Sequence, residues 1–360
     1  MKPNYTLLTG AFLLAASLSF SFSGCNLDTN ALDARVKTSK HITPPQKVHI
    51  DSVLQLEAVK VASHKKFVSD SLRFKQVVSY LYNKDTAGKW PAFKQRAEGA
   101  ILPFNRIIAF YGNLSSKKMG IFGEIPKKQM FAKLKFEVKK WSFDSATIHS
   151  IPAFDYIAVS AQGSPGKDGK YRLRMPFHQV DTVVSWTNQI GGIMFIDIQV
   201  GQSTLQAELP RFEKYFALPN VHLSIDPEFS MKTHRKPGSV IGTFDAADIN
   251  YAQDFLARIV KTNNLPPKIL VIHRFTKKMV TNCKNIEHKP QVQIVMHMDG
   301  WGNPPKKIGT YQYIVKPEPV EYTGFKIFYK NDVKKVGMQQ EMQPQAVLAL
   351  SPRPVYIQYQ

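Results

Sequence analysis

The chain has 360 residues, 43% of them hydrophobic and 23 of them phenylalanine. That is enough apolar material to exclude wholesale disorder and to fill one large domain or two small ones. A formal charge of +21 would attract polyanions such as nucleic acid, an anionic membrane surface or acidic glycans. No zinc-finger, RRM or helix-turn-helix pattern accompanies the charge, and the lysines are scattered, so nucleic acid is not expected as a partner.

At the N-terminus Lys2 opens a weakly basic stretch. Leu7 to Phe22 is an apolar run broken by Gly10 and small polar residues. It is too short and interrupted for a membrane span and suits a signal peptide. It closes with Ser21-Phe22-Ser23-Gly24-Cys25, which resembles the bacterial lipoprotein processing site, with Phe22 where that family more often has leucine. The resemblance implies a signal peptide over 1–24, cleavage before Cys25 and lipidation of Cys25, palmitate being one such lipid. The mature protein would then sit in the cell envelope, held to a membrane on its periplasmic or surface side. Once Cys25 is so used, Cys283 is the one thiol left, which excludes an intrachain disulfide and a multi-cysteine zinc site.

Residues 25–48 are polar, contain Pro44-Pro45 and suit a tether. A helical extension is expected over 49–103. Val53, Leu56, Val59, Phe67, Leu72, Val77 and Leu81 recur at helical spacing between Ile50 and Tyr82, and a loop follows to Leu102.

From 104 to 360 short β-branched or aromatic runs alternate with longer amphipathic segments. The runs are Arg106–Tyr111, Tyr156–Ser160, Ile193–Val200, Val221–Asp226, Lys268–His273, Val292–Met298, Phe325–Tyr329 and Val355–Tyr359. Helices are expected between them over Lys127–Trp141, Asp181–Gln189, from Asp245 to about Thr262, and over Met342–Leu350. Gly191-Gly192 stops the second and Asp245 with Asp248 caps the third. Strands alternating with helices predict parallel βαβ units, and eight of them predict an α/β (β/α)8 TIM barrel. An open doubly wound sheet is the alternative. No closing helix follows the eighth strand, a gap the N-terminal helical segment could cover.

The fourth run is unusual. His222, Ser224, Asp226 and Glu228 alternate with Leu223 and Ile225, so an extended chain puts the polar set on one face. Strands buried on both sides are usually apolar throughout. In a barrel, functional groups gather at the C-terminal strand ends. There the sequence offers Tyr111 and Asn113, Gln162 in a glycine-rich loop, Asp197 and Gln199, Asp226 and Glu228, His273, His297 with Asp299 and Trp301, and Gln358. The loop from Gln162 to Gly169 lacks a P-loop ending and the dinucleotide spacing, so no cofactor is expected. Four crowded acids would push one pKa upward and give a protonated acid beside an ionised base. Alternatively they pair with Arg106, His273 or Lys326 and tie strands together.

Ile225-Asp226-Pro227-Glu228 resembles the end of the family-18 chitinase strand motif, and Met296-His297-Met298-Asp299 is similar to that family's Met-x-Tyr-Asp element. Val221 and Ser224 stand where the family has two earlier aspartates, and the tyrosine is absent. The resemblance implies that Glu228 protonates the leaving oxygen while Asp226 orients a substrate N-acetyl group. The whole body also resembles bacterial lipoproteins with a glycosidase-like barrel. Three readings follow. One is a glycoside hydrolase acting on a complex or cell-wall glycan through Asp226 and Glu228, supported by Asp197 and Asp299. The second is a non-catalytic glycan-binding lipoprotein. The third is a metal-dependent hydrolase using His273, His297, Asp226 and Asp299, although the first strand ends in Tyr-Gly-Asn where a His-x-His pair would be wanted.

Overall fold

A computed structural model describes residues 71–82, 88–92, 97–144, 148–333, 337 and 340–360. The expected signal peptide, Cys25, the expected tether and the part of the expected helical extension before residue 71 lie outside the described residues.

Eight strands build the central sheet: β1 Asn105–Gly112, β2 His149–Ala161, β3 Ile193–Ile198, β4 Val221–Ile225, β5 Lys268–Arg274, β6 Val292–Met298, β7 Tyr322–Ile327 and β8 Tyr356–Tyr359. Each pairs in parallel with the next. The last returns to the first, with Ile107 opposite Tyr356 and Phe110 opposite Tyr359. The sheet is therefore a closed (β/α)8 barrel, and the open doubly wound sheet is excluded. A short strand, Arg172–Arg174, adds antiparallel to β2 above the barrel.

All eight expected runs are strands; most differ from expectation by one or two residues at an end, and two start well before the expected position. β2 begins seven residues before Tyr156 because Asp155 interrupts its apolar pattern without interrupting its backbone pairing. β7 begins three residues before Phe325. Gly324, a poor strand former, sits inside it, and an added Cβ there would come within 2.5 Å of His297 Nδ1 and 3.0 Å of the Tyr356 ring. The glycine makes room for two side chains that fill the barrel.

The outer helices follow from their sequences. In α1, Ser71–Tyr82, the apolar residues Val77 and Leu81 are buried. In α2, Lys127–Lys140, Met130 and Leu134 face inward, and Lys139 and Lys140 close the helix where its dipole favours cations. α3 runs Phe177–Gln189, four residues earlier than expected, because Pro176 serves as its N-cap. It stops where Gly191 turns to φ +61°. α4, Ala246–Thr262, carries the expected capping box of Asp245 and Asp248. Helical stretches beyond the expected ones are also present, among them Ile121–Glu124 ahead of α2. Short turns cover Leu205–Phe216, and a helix over Pro304–Thr310 runs on into a wider π-turn to Val315. The expected Met342–Leu350 helix is confined to Pro344–Leu348.

α1 packs beneath the barrel. The Tyr82 hydroxyl donates to the Glu321 carbonyl at 2.5 Å, Arg353 N donates to the Leu81 carbonyl at 2.9 Å, and Phe74 meets Phe104. These partners precede β7, β8 and β1, so the helix covers the N-terminal end of the barrel at its closing seam.

Candidate active site

Side-chain alternation along the strands sends one set into the barrel, where it stacks in levels. Phe195 of β3 meets Tyr356 of β8 with ring centroids 5.2 Å apart, a contact that crosses the interior. His297 stands edge-on to Tyr356 at 4.9 Å and to His273 at 5.0 Å. His222 lies beside Phe195 and accepts from the Ile269 amide through Nδ1. Burial drives both His222 and His297 well below the ordinary histidine pKa, with cationic neighbours, Lys268 and His273 respectively, adding to the effect.

The next level is polar. Asp155 accepts from the Tyr356 hydroxyl at 2.6 Å and from Gln358 at 2.7 Å. Burial raises its carboxyl to about 7, with Asp197 adding to the effect. Asp197 accepts from the Tyr111 hydroxyl at 2.9 Å, and Gln199 donates to that same hydroxyl at 3.2 Å. His273 is the hub. Its Nδ1 lies 2.6 Å from Asp299 Oδ2, its Nε2 lies 2.9 Å from the Ser224 hydroxyl, and Asp197 is 3.9 Å away. Burial opposes charge on this ring, but Asp299 and Asp197 outweigh it and hold its pKa at about 9. Asp299 also receives Lys326 at 2.9 Å. Burial works against its charge, yet Lys326 and His273 prevail and keep its carboxyl below the usual range.

Above this network lies a cavity of about 580 Å³ at the C-terminal strand ends. Residues in or just after all eight strands reach it: Tyr111, Ile157, Gln199, Asp226 with Glu228, Phe275, Asp299 with Trp301, Lys326, and Gln360. Asp226 and Glu228 share this cavity for a different reason than strand alternation. β4 ends at Ile225, and Pro227–Phe229 form a single 3₁₀ turn capped by Asp226, whose Oδ1 accepts from the Glu228 amide at 3.0 Å. Burial raises Asp226 well above the ordinary carboxylate value, with Glu228 and Asp197 adding repulsion against the pull of His273. Burial likewise lifts Glu228 to about 7, with Asp299 adding and Lys326 opposing.

Of the residues singled out from sequence, Tyr111, Gln199, Asp226, Glu228, Asp299 and Trp301 line the cavity. Asp197, His273, His297 and Gln358 are buried within the barrel around it and act through neighbours. Asn113 is a structural residue. It is buried, donates to the Ile157 carbonyl at 2.8 Å and accepts from the Ser115 amide at 2.7 Å. Gln162 contributes a backbone bond to Tyr171 and is not part of the cavity wall. Arg106 takes no part in the acidic cluster; it lies against the Trp141 ring and carbonyl. Sequence reasoning missed Asp155, whose signal was a lone acid inside Ala153-Phe154-Asp155-Tyr156-Ile157, and the cavity cations Lys118 and Lys306.

The metal reading can be weighed on the donor set. His273, His297 and Asp299 offer atoms within 4.8 Å of one another. Asp299, however, already uses one oxygen for His273 and the other for Lys326. A dication there would stand beside an ammonium and an imidazolium, which is electrostatically unfavourable. These residues do not fit a metal.

No family model and no curated protein matches the chain. Among solved structures it is similar to a cellulase, Cel5C_n, at 14% identity and TM-score 0.35, covering 61% of this chain and 65% of that one. It is also similar to a mutant form of Thermotoga maritima Cel5A crystallised with cellobiose, at 10% identity and TM-score 0.37, covering 71% and 88%. A hyperthermophilic endo-β-1,4-glucanase in complex with substrate matches at 9% identity and TM-score 0.35 over the same shares. The barrel assignment rests on the closed strand ladder, not on these likenesses.

Proposed function

We propose that this chain is a lipid-anchored envelope protein whose barrel mouth binds a complex or cell-wall glycan and hydrolyses its glycosidic bonds. The observation that carries the proposal is Glu228. Its side chain borders the mouth cavity, forms no ion pair among the described residues, and sits at about 7, where a carboxyl can still hold a proton at neutral pH. A general acid with a pKa near the working pH is the group that leaving-oxygen protonation requires.

A free ionised nucleophile is harder to find. Asp226 and Asp197 are raised by burial, and Asp299 is held between Lys326 and His273. This favours substrate assistance, which needs only one protein acid. Glu228 would donate its proton to the glycosidic oxygen as the substrate's own acetamido oxygen attacks C1. Asp226, with Oδ1 committed to its turn, would orient that acetamido group through Oδ2. The Glu228 carboxylate would then take a proton from the incoming water.

The test is Glu228→Gln, with release of reducing ends from chito-oligosaccharides and peptidoglycan fragments as the readout. Turnover by the wild type, lost by a factor of about 10²–10⁴ in the variant with binding retained, is the expected outcome. The clamped Asp299 favours a second reading, a glycan-binding protein without turnover, and a wild type that binds but releases nothing would select it. For the anchor, Cys25→Ser should move the protein from the membrane to the soluble fraction.

A further inference from the structure

The mouth cavity is not isolated. A second hollow of about 260 Å³ adjoins it, and the two share Lys118, Phe328 and Gln360 as common wall. The main cavity falls within the roughly 300–1,000 Å³ of small-ligand sites, and the side hollow extends it into a groove. Along that groove the charged residues are unevenly distributed. Lys118 is exposed at the junction and Lys117 beside it borders the side hollow; neither forms an ion pair among the described residues. Lys330 borders the side hollow and is paired there with Glu124 at 2.6 Å. On the opposite side of the mouth Lys306 lies over the exposed Trp301 ring at 4.8 Å. Of the acids, Asp299 is matched by Lys326 and His273, Glu124 by Lys330, Asp226 lines the cavity as a buried carboxyl, and Glu228 borders it with its carboxyl raised by burial to about 7. An exposed aromatic face beside one cation, with further cations where two adjoining hollows meet, suits a ring-shaped ligand that carries repeated negative charge.

We propose that the groove takes an acidic oligosaccharide, its anionic groups met by Lys117 and Lys118 on one side and Lys306 on the other, with a sugar face on Trp301. This rests on the reading of the mouth as a glycan site and assigns that site's substrate class.

The experiment is calorimetric titration of the full chain with four probes: an oligogalacturonate, its carboxyl-reduced neutral counterpart, a heparin-derived tetrasaccharide and its desulfated, N-acetylated and carboxyl-reduced neutral form. The proposal expects at least one anionic probe to bind more tightly than its neutral counterpart. Affinity should fall as salt rises, and the variant K117Q/K118Q should weaken binding roughly three- to tenfold. The control is K139Q/K261Q. Both of these exposed lysines lie in the last turns of α2 and α4, at the end of the barrel opposite the mouth, and their loss should leave affinity unchanged. The carboxylated and sulfated arms show which anion is preferred. Equal losses in the two variants would reduce the effect to the bulk charge of the chain and overturn the proposal, as would competition by an oligonucleotide of equal charge. Equal binding of anionic and neutral partners, or binding of neutral glycans alone, would overturn it while leaving the glycan reading intact. No binding by any of the four overturns it too, and chito-oligosaccharide release then decides separately whether the glycan reading stands.

Discussion

Replacing Lys326 with methionine tests whether charge pairing holds the mouth together. Lys326 and Asp299 meet at 2.9 Å with side chains only 3% and 7% exposed. Methionine keeps most of the aliphatic stem and removes the ammonium, which also stands 4.0 Å from the Tyr111 ring centroid. Stripping one partner from a buried pair costs about 3–5 kcal/mol because the other charge stays buried. Asp299 keeps its 2.6 Å contact with His273, which sets the expected loss at the lower end, about 3 kcal/mol. The sign of the pH dependence follows from Asp299, whose folded pKa is depressed because Lys326 and His273 outweigh burial. Its contribution is present above the unfolded value of about 3.9 and is lost as the pH falls through the folded value. Losing Lys326 removes part of that contribution. The gap between wild type and variant is therefore widest at neutral pH and narrows below about pH 4. Urea denaturation followed by tryptophan fluorescence at pH 7 and at pH 3.5 to 4 (roughly the carboxylate range) reads both effects. Lys326→Met/Asp299→Asn should recover part of the loss, since neither charge of the pair then remains buried. A single-variant loss below about 1 kcal/mol, the level of a surface pair, or a double variant no more stable than the single one, would refute the reasoning.

Gly324→Ala would force a methyl group to 2.5 Å from His297 Nδ1 and should cost about 1–3 kcal/mol through overpacking; an unchanged urea midpoint would count against the placement of the His297 ring. His273, raised from 6.5 to about 9, contributes stability that is fully present below about pH 6.5 and lost as the pH rises through 9. Wild type should therefore lose roughly 3 kcal/mol by pH 10, and the midpoint of His273→Gln should change much less over that range. Asp245→Ala removes the α4 cap together with side-chain acceptors for Thr281 and Asn282. Thermal melting should register a loss of about 1–2 kcal/mol, and a melting point within error of wild type would discount the capping box.

Much of this architecture was legible because parallel strands are buried on both faces and so stand out as apolar runs. Strand count, winding and the capping box at Asp245 and Asp248 followed from local pattern alone. The acids Asp197 and Asp299 were found from parity, since residues two apart on a strand share a face. The two misplaced strand starts have one cause. Asp155 and Gly324 violate strand preference locally and are explained only by what they meet across the barrel, Tyr356 with Gln358 in one case and the His297 and Tyr356 rings in the other.

What the sequence by itself determined is eight parallel strand-and-helix units with a polar, acidic set at the C-terminal strand ends, because periodicity and capping are short-range properties of neighbouring residues; closure into a barrel came from the pairing of β8 with β1. Only the tertiary structure decided which acids are available for chemistry. Asp299 is matched by Lys326 from the next strand and by His273 from the strand before. Glu228 enters the cavity on a 3₁₀ turn and forms no ion pair among the described residues. Pairing and desolvation depend on residues separated by tens of positions, and closure of the barrel brings them together. The same carboxyl group can be a structural anion or a proton donor according to the neighbours that closure supplies.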